Sequence, residues 1–174
     1  MRKLKIGTRG SALAVAQARL VQDAYLKRGV ESELVIVRTR GDADLSSPLS
    51  EIGRGAFTDV FSEMIASGEL DVAVHSAKDL PTDEAHDAFF CLPRADARDA
   101  LLYLAGREVL RIGTGSPRRA AAVQKQFPQA DILPVRGNVD TRIQKMLAGE
   151  YDALVLACAG LDRLGFAHPE IRVE

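Results

Sequence analysis

The sequence has few of the residues that build disulfide frameworks, metal centres or membrane spans. Its two cysteines, Cys91 and Cys158, are too few for a disulfide framework and lack the spacing of a zinc site. Its three histidines are scattered, which argues against a metal cluster. No apolar run approaches about 20 residues, and the charged N-terminus lacks the apolar segment of a secretory signal. These absences favour a cytoplasmic protein with reduced thiols and no membrane span.

The chain also lacks an excess of charge of one sign. Its net charge is -1 over 174 residues, so nothing global predicts nucleic acid or an anionic membrane as a partner. A hydrophobic content of 47% and a charged content of 27% are ordinary for a soluble globular protein. Any affinity for an anion must therefore come from a local arrangement of side chains.

The second half of the chain repeats the order of elements in the first half. Three matches occur in the same order: IGT at 6–8 with IGT at 112–114, RGDAD with RGNVD, and GELDVAVHSA with GEYDALVLAC. Apolar patterning predicts strands at 3–8, 33–39, 70–75, 110–114, 131–135 and 151–160, with helices between them and a polar loop at 41–56. The repeat predicts two similar α/β lobes with mostly parallel sheets.

We place the lobes at residues 1–91 and 92–174, with residues 92–100 as the crossover. In open α/β sheets, ligands bind at the carboxyl ends of the parallel strands. We therefore expect the functional site at these edges, in a cleft between the two lobes.

Arginine is heavily represented at the predicted strand ends. Arg118 and Arg119 fall in the first turn of a helix, where the helix dipole disfavours cations and favours anions. An isolated arginine pair is more often a solvated surface feature. Here, however, arginines from both lobes fall on the same predicted edge, beside Lys78 and Asp79. This convergence predicts a polyanionic ligand with several carboxylates, which suit bidentate guanidinium groups.

Other motifs do not indicate nucleotide binding. GTGS lacks the spacing of a P-loop, and GTRGSA lacks the third glycine of a dinucleotide-binding fingerprint. Cys158 falls in a predicted apolar strand and is interpreted as a small core residue. Asp79, amid so many cations, is expected to stay ionised and to stabilise a developing cation or orient an N–H group. Lys78 is expected to hold a substrate carboxylate.

Five stretches together resemble one enzyme family over essentially the whole chain. They are HSAKDLPT, GTRGSALAVAQA, IGTGSPRR, VRGNVDTR and LACAGLDRLG. By these motifs the chain is similar to the porphobilinogen deaminases, or hydroxymethylbilane synthases. The resemblance implies a transferase of haem and porphyrin biosynthesis that polymerises four porphobilinogen molecules to hydroxymethylbilane with release of ammonia. It also implies a dipyrromethane cofactor on a cysteine, and two domains that resemble type II periplasmic binding proteins.

The resemblance also assigns roles to individual positions. Asp79 matches the catalytic aspartate, which would steady pyrrole N–H groups and the azafulvene cation that remains when ammonia departs. The active-site loop departs from the family pattern, because Arg54 replaces one lysine and Glu51 stands where another is expected. No metal is implied. The positions that match cofactor-binding and substrate-binding residues are Arg9, Ser11, Gln17, Arg54, Phe57, Lys78, Thr114, Ser116, Arg118, Arg119, Arg136, Asn138, Arg142 and Arg163.

The chain departs from the family in length. Family members have a third domain with the cofactor cysteine, and we expect that domain, and the strand that returns to the first lobe, to be absent here. Neither Cys91 nor Cys158 matches that cysteine by context. The expected partner is porphobilinogen, bound by a cytoplasmic monomer without nucleic acid or membrane. Two alternatives stay open: a non-catalytic homologue that binds a polycarboxylate such as a linear tetrapyrrole, and an anion-binding protein of periplasmic-binding-protein shape.

Overall fold

The chain divides into two compact α/β units, Met1–Pro93 and Arg94–Glu174. The computed structural model describes residues 2–43, 55–80 and 90–174. Within those ranges no helix is both long and apolar enough to cross a membrane. The elements of unit 1 are β1 (Leu4–Arg9), α1 (Ala12–Leu26), β2 (Ser32–Val37), α2 (Arg40–Ala43), α3 (Asp59–Ala66), β3 (Val72–Ala73) and a 3-10 turn (Ala77–Asp79).

Unit 2 contains a larger sheet, in which one strand runs antiparallel to the others. Its elements are β4 (Asp99–Leu104), β5 (Arg111–Gly113), α4 (Pro117–Gln126), β6 (Asp131–Leu133), α5 (Val139–Leu147), β7 (Ala153–Ala157), α6 (Cys158–Leu164) and β8 (Ile171–Val173).

The two sheets share one strand arrangement, which confirms the predicted pair of similar α/β lobes. The strand order is β2-β1-β3 in unit 1 and β6-β5-β7-β4-β8 in unit 2. In unit 1, β1 pairs in parallel with β2 and β3, and in unit 2, β5 pairs in parallel with β6 and β7. The carboxyl ends of the parallel strands in each unit therefore meet at one edge of its sheet.

One aspartate in each unit ties the last of these parallel strands to the first. The Asp71 carboxylate accepts from the Lys5 backbone N–H at 2.8 Å, and the Asp71 N–H donates to the Lys5 carbonyl at 3.0 Å. Asp152 makes the same two bonds with Arg111, at 2.7 and 2.8 Å. These aspartates occupy matching positions in the GELD and GEYD stretches, so the repeat extends to side-chain contacts.

The repeated Ile-Gly-Thr stretch brings β1 and β5 close to their neighbours. A Cβ at Gly7 would lie 2.4 Å from a Leu70 methyl group, and one at Gly113 would lie 2.7 Å from a Leu154 methyl group. The threonine that follows each glycine is buried. Glycine at these two positions therefore permits a close approach that a larger residue would prevent.

The sheet of unit 2 is covered on both faces. On one face, Leu154 and Leu156 of β7 belong to a buried cluster with Met146 of α5. On the other face, Ala153 and Val155 join a cluster with Val123 of α4. This alternation explains why β7 reads as a continuous apolar run, as expected for a strand buried on both sides.

Several predicted boundaries are wrong. Strand β7 ends at Ala157, and Cys158 begins helix α6, so Cys158 is not part of an apolar strand as predicted. It is half-buried and packs beside the core cluster of unit 2. The predicted strand at 70–75 is reduced to Val72–Ala73, although the Val74 N–H still donates to the Gly7 carbonyl at 3.0 Å.

The loop predicted at 41–56 begins instead with helix α2. The Asp42 N–H donates to the Thr39 carbonyl at 3.1 Å and to its hydroxyl at 3.3 Å, which closes this turn. The predicted crossover at 92–100 overlaps the start of β4. Strand β4 runs antiparallel to β7, and β8 pairs antiparallel with β4; neither strand has a counterpart in the repeat, so comparison of the two halves does not predict them.

Candidate functional site

The carboxyl edge of the unit 1 sheet collects several predicted site residues. Arg9 is the last residue of β1, and Lys78 and Asp79 lie in the turn that follows β3. Gln17, on α1, accepts a hydrogen bond from the Ser76 hydroxyl at 3.3 Å, which ties α1 to that turn. Ser11 caps α1 by accepting from the Ala14 N–H at 3.3 Å.

Arg9 is held between an aspartate and an aromatic ring. Its Nε donates to the Asp42 carboxylate at 3.0 Å, and its guanidinium carbon lies 4.2 Å from the centre of the Phe57 ring. The ring also passes so close to Gly41 that a Cβ there would lie 2.1 Å from it. Arg9 is therefore fixed by a charge-assisted bond and a cation–π contact before any ligand binds.

Asp42 is a charged partner that the sequence analysis missed. Burial raises the pKa of its carboxyl group, but hydrogen bonds from Arg9 and Thr39, with the Arg9 charge, lower that pKa below its ordinary value. The Thr39 hydroxyl donates to it at 2.7 Å. Asp42 is therefore ionised at neutral pH. The sequence feature that could have identified it is its place two residues after Arg40, at a predicted strand end.

Lys78 and Asp79 sit side by side at the end of the third parallel strand. Lys78 is exposed and Asp79 is half-buried. Among the described residues, the Asp79 carboxylate forms no hydrogen bond or ion pair, although its backbone N–H donates to Ser76 at 2.8 Å. As far as the described residues go, its acceptor positions are therefore available for an N–H group of a ligand.

The first turn of α4 contains the predicted arginine pair. Ser116 caps the helix, Pro117 is its first residue, and Arg118 and Arg119 follow. Both arginines bind Asp99, the first residue of β4. Arg118 Nη2 is 2.6 Å from one carboxylate oxygen, and Arg119 Nε is 2.8 Å from the other. Asp99 is not among the predicted site residues, because it falls in the predicted crossover at 92–100.

Arg142, in α5, is a half-buried cation that has no acidic partner among the described residues. Its Nε donates to the Gly137 carbonyl at 2.8 Å, and in the part of the chain that the structure describes it forms no ion pair. Burial lowers the pKa of Arg142, and the charges of Arg119 and Arg136 lower that pKa further. The guanidinium group of Arg142 is therefore close enough to those of Arg119 and Arg136 to be repelled by both.

The remaining predicted residues lie around this cluster or outside the described part. Thr114 is buried, and its hydroxyl accepts from the Ser116 N–H at 3.2 Å. Asn138 caps α5 through its backbone and not its side chain, and Arg163 lies in the last turn of α6. Arg54 and Glu51 lie outside the described residues. Within the described ranges, no group of three or more His, Cys, Asp or Glu residues is placed to hold a metal ion.

Solved structures with a similar fold share little sequence with this chain. The periplasmic VFT2 domain of Bordetella pertussis BvgS aligns with 98% of the chain and 73% of its own, with a TM-score of 0.55 and 15% identity. An ancestral cationic amino acid solute binding protein, AncCDT-1, aligns with 99% of the chain and 76% of its own, with a TM-score of 0.55 and 16% identity. These likenesses confirm the predicted type II periplasmic-binding-protein-like fold.

Proteins similar in sequence are enzymes of one kind. The porphobilinogen deaminase of Corynebacterium efficiens is 46% identical over 169 residues, which are 93% of this chain and 56% of that protein. That of Leifsonia xyli is 48% identical over 172 residues, which are 93% of this chain and 52% of that protein. The chain thus spans about half the length of these relatives.

A family model matches almost the whole chain. It covers residues 4–173 and is described as "Porphobilinogen deaminase, dipyromethane cofactor binding domain". The match includes the arginine cluster of unit 2, the Arg9 site and the Lys78–Asp79 turn. The chain therefore belongs to the porphobilinogen deaminase family.

Proposed function

We propose that this chain forms the pyrrole-binding part of a porphobilinogen deaminase, which joins four porphobilinogen molecules into hydroxymethylbilane and releases ammonia. The observation that carries the proposal is the cluster of Arg119, Arg136 and Arg142 in unit 2. Burial of Arg142, and its repulsion by the charges of Arg119 and Arg136, cost free energy in the unliganded protein. A ligand with several carboxylates would offset that cost, and each porphobilinogen carries an acetate and a propionate.

The arginines of unit 2 fit a dipyrromethane cofactor, because its carboxylates match their guanidinium groups. We assign Arg118, Arg119, Arg136 and Arg142 to its carboxylates, with Thr114 and Ser116 as polar contacts. When bound, this group would supply the pyrrole end to which the new units are joined. The curated relatives and the family description, with its named cofactor, support this assignment.

Asp79 is the proposed catalytic residue. Its carboxylate is half-buried and has no partner among the described residues. It would accept a pyrrole N–H bond and stabilise the positive charge that develops on the substrate ring when ammonia leaves. Lys78, which is exposed beside it, would bind a substrate carboxylate. Arg9, already oriented by Asp42 and Phe57, would bind another.

Replacement of Asp79 by asparagine tests the catalytic assignment. Asp79→Asn keeps the size of the side chain but removes its charge, so we expect ammonia release from porphobilinogen to fall about a hundredfold. Affinity for porphobilinogen, measured by calorimetry, should change little, because the arginines supply most of it. Asp23→Asn, at an exposed position on α1, is the matched control. Ammonia release is measured on the complete protein, and binding is measured on this chain.

Two results would contradict the proposal in different ways. Full ammonia release by Asp79→Asn would remove Asp79 from the chemistry and leave the binding assignment intact. A chain that does not bind porphobilinogen, while remaining folded by circular dichroism, would contradict the binding assignment itself.

A further inference from the structure

We propose that Asp99 is a positioning residue, which holds the guanidinium groups of Arg118 and Arg119 in the orientation that receives a ligand carboxylate. This inference deepens the proposed function and depends on it for the identity of the ligand. It concerns an acid that lies outside the motifs by which the family is identified.

The topology of unit 2 brings Asp99 to the arginines. Strand β4 runs antiparallel to β7, and its first residue, Asp99, pairs with Ala157 at the end of β7. The start of β4 therefore lies at the same edge as the carboxyl ends of β5 and β7. Helix α4 begins at this edge too, because it follows β5 directly. An antiparallel strand is thus the element that delivers a carboxylate to an edge otherwise rich in cations.

The two arginines use Asp99 differently. Arg119 Nε and Nη2 both lie 2.8 Å from one carboxylate oxygen, and Arg119 Nη1 donates to the Val155 carbonyl at 3.4 Å. Its side chain is only 15% exposed. Arg118 gives only Nη2 to the other oxygen, at 2.6 Å, and is 71% exposed. Asp99 therefore links a half-buried arginine, each of whose three nitrogens makes one contact, to an exposed one.

The geometry fits a residue that orients the two arginines better than a residue that competes with the ligand for them. Asp99 is 22% exposed and lies at the start of a paired strand, so the backbone fixes where its carboxylate stands. It engages one terminal nitrogen of Arg118 and leaves Nε and Nη1 for a ligand. The single negative charge of Asp99 is shared by the two arginines, so the pair keeps a net positive charge. The acid thus orders the cations without neutralising the site.

The first test compares porphobilinogen binding among three variants. Asp99→Asn can accept from one arginine only and turns an amide N–H toward the other, so we expect its affinity to fall roughly tenfold. Asp99→Glu keeps the charge and should recover part of that loss. Asp96→Asn is the matched control: Asp96 lies three residues earlier and pairs with Arg98, with Nη2 and a carboxylate oxygen 2.6 Å apart. Its affinity should stay within about twofold of the original chain.

The second test needs no ligand. Phenylglyoxal modifies accessible guanidinium groups, and peptide mass spectrometry gives the rate at each arginine. We expect Asp99→Asn to speed modification of Arg118 and Arg119 severalfold, while Arg107, which is exposed in a turn, keeps its rate. A merely structural role for Asp99 would change all the rates of unit 2 together or none of them.

The outcomes separate this inference from the proposed function. If Asp99→Asn binds porphobilinogen as well as or better than the original chain, Asp99 does not position the arginines. If the original chain binds no porphobilinogen but labelling changes as expected, the proposed function fails and the positioning role survives. Should Asp99→Asn not fold, Asp99→Glu decides, because unchanged affinity and labelling in that variant would overturn the inference.

Discussion

At the scale of single residues, the candidate arginines differ in how much the protein itself holds them. Arg9 and Arg119 are each bound to an aspartate, whereas Arg142 donates only to a backbone carbonyl. The cost of keeping Arg142 charged and partly buried is visible in its lowered pKa, for which burial is the main cause. Such a residue contributes more to ligand binding than to folding.

We predict that Arg142→Met separates these two contributions. The variant loses the bond to Gly137 but also the buried charge, so its free energy of unfolding should change by less than about 1 kcal/mol. Its affinity for porphobilinogen should fall at least about tenfold. Urea unfolding and calorimetry give the two quantities, with Arg107→Met as the control. A large loss of stability with unchanged affinity would assign Arg142 to the fold instead.

The residue scale also marks a limit of sequence reasoning. The arginines were predicted because strand ends and helix starts can be located along one chain. Asp42 and Asp99 were not, because an ion pair between residues 33 or 19 positions apart depends on how the strands are ordered in space. No local pattern tells which of many acids faces a given arginine.

At the scale of elements, the parallel core follows from the sequence and its additions do not. The repeated sequence motifs predicted β1, α1 and β2 in one half and β5, α4 and β6 in the other, because strands and helices alternate in the same order in both halves. Strand β4 shows the alternating burial of a half-buried strand at Ala100, Leu102 and Leu104, yet it lies outside the repeat. Helix α6 was missed because the apolar run of β7 continues into it without a glycine or proline before Gly160.

We predict a pH dependence for the contact that ties β7 to β5. Hydrogen bonds from the Arg111 side chain and backbone hold the pKa of Asp152 below its ordinary value. A lowered pKa in the folded state stabilises the protein fully above the unfolded-state pKa, about 3.9, and the effect is lost as pH falls through the folded-state value. The original chain should therefore be more stable than Asp152→Asn at pH 6, and this difference should shrink below pH 4.

Urea midpoints between about pH 2.5 and pH 7 measure this difference. Asp162→Asn, at an exposed position on α6, serves as the control and should stay parallel to the original chain throughout. A difference for Asp152→Asn that does not change with pH would mean that the contact stabilises the fold through packing and not through its charge.

At the scale of the whole molecule, the net charge is close to zero while the candidate site in unit 2 is positively charged. The chain carries a net charge of -1, yet unit 2 brings Arg118 and Arg119 together on one aspartate and places Arg142 close to Arg119. A near-neutral composition left local arrangement as the expected source of any anion affinity, and several of the predicted arginines do lie close together in unit 2. Composition does not show how many of those arginines are already bound to acidic residues of the protein.

We predict that salt weakens porphobilinogen binding strongly despite the near-zero net charge. Exposed charges such as Arg118 are screened within about 10 Å at 0.1 M salt and about 3 Å at 1 M. Raising sodium chloride from about 50 mM to about 500 mM should therefore reduce affinity about tenfold, measured by calorimetry. Sucrose at equal osmolality is the control. An affinity that does not change with salt concentration would mean that binding depends on apolar contacts and not on the arginines.

The aspartates at 71 and 152 have a consequence for how such a protein can change. Both units use the same residue to join the same strands, whereas the acids that orient arginines come from unrelated places, a helix after β2 in one unit and an added antiparallel strand in the other. The residues that join the strands are thus different from the residues that orient the candidate binding arginines. Substitutions at Asp42, at Asp99 or at their arginines can therefore change ligand preference without changing the contacts on which folding depends.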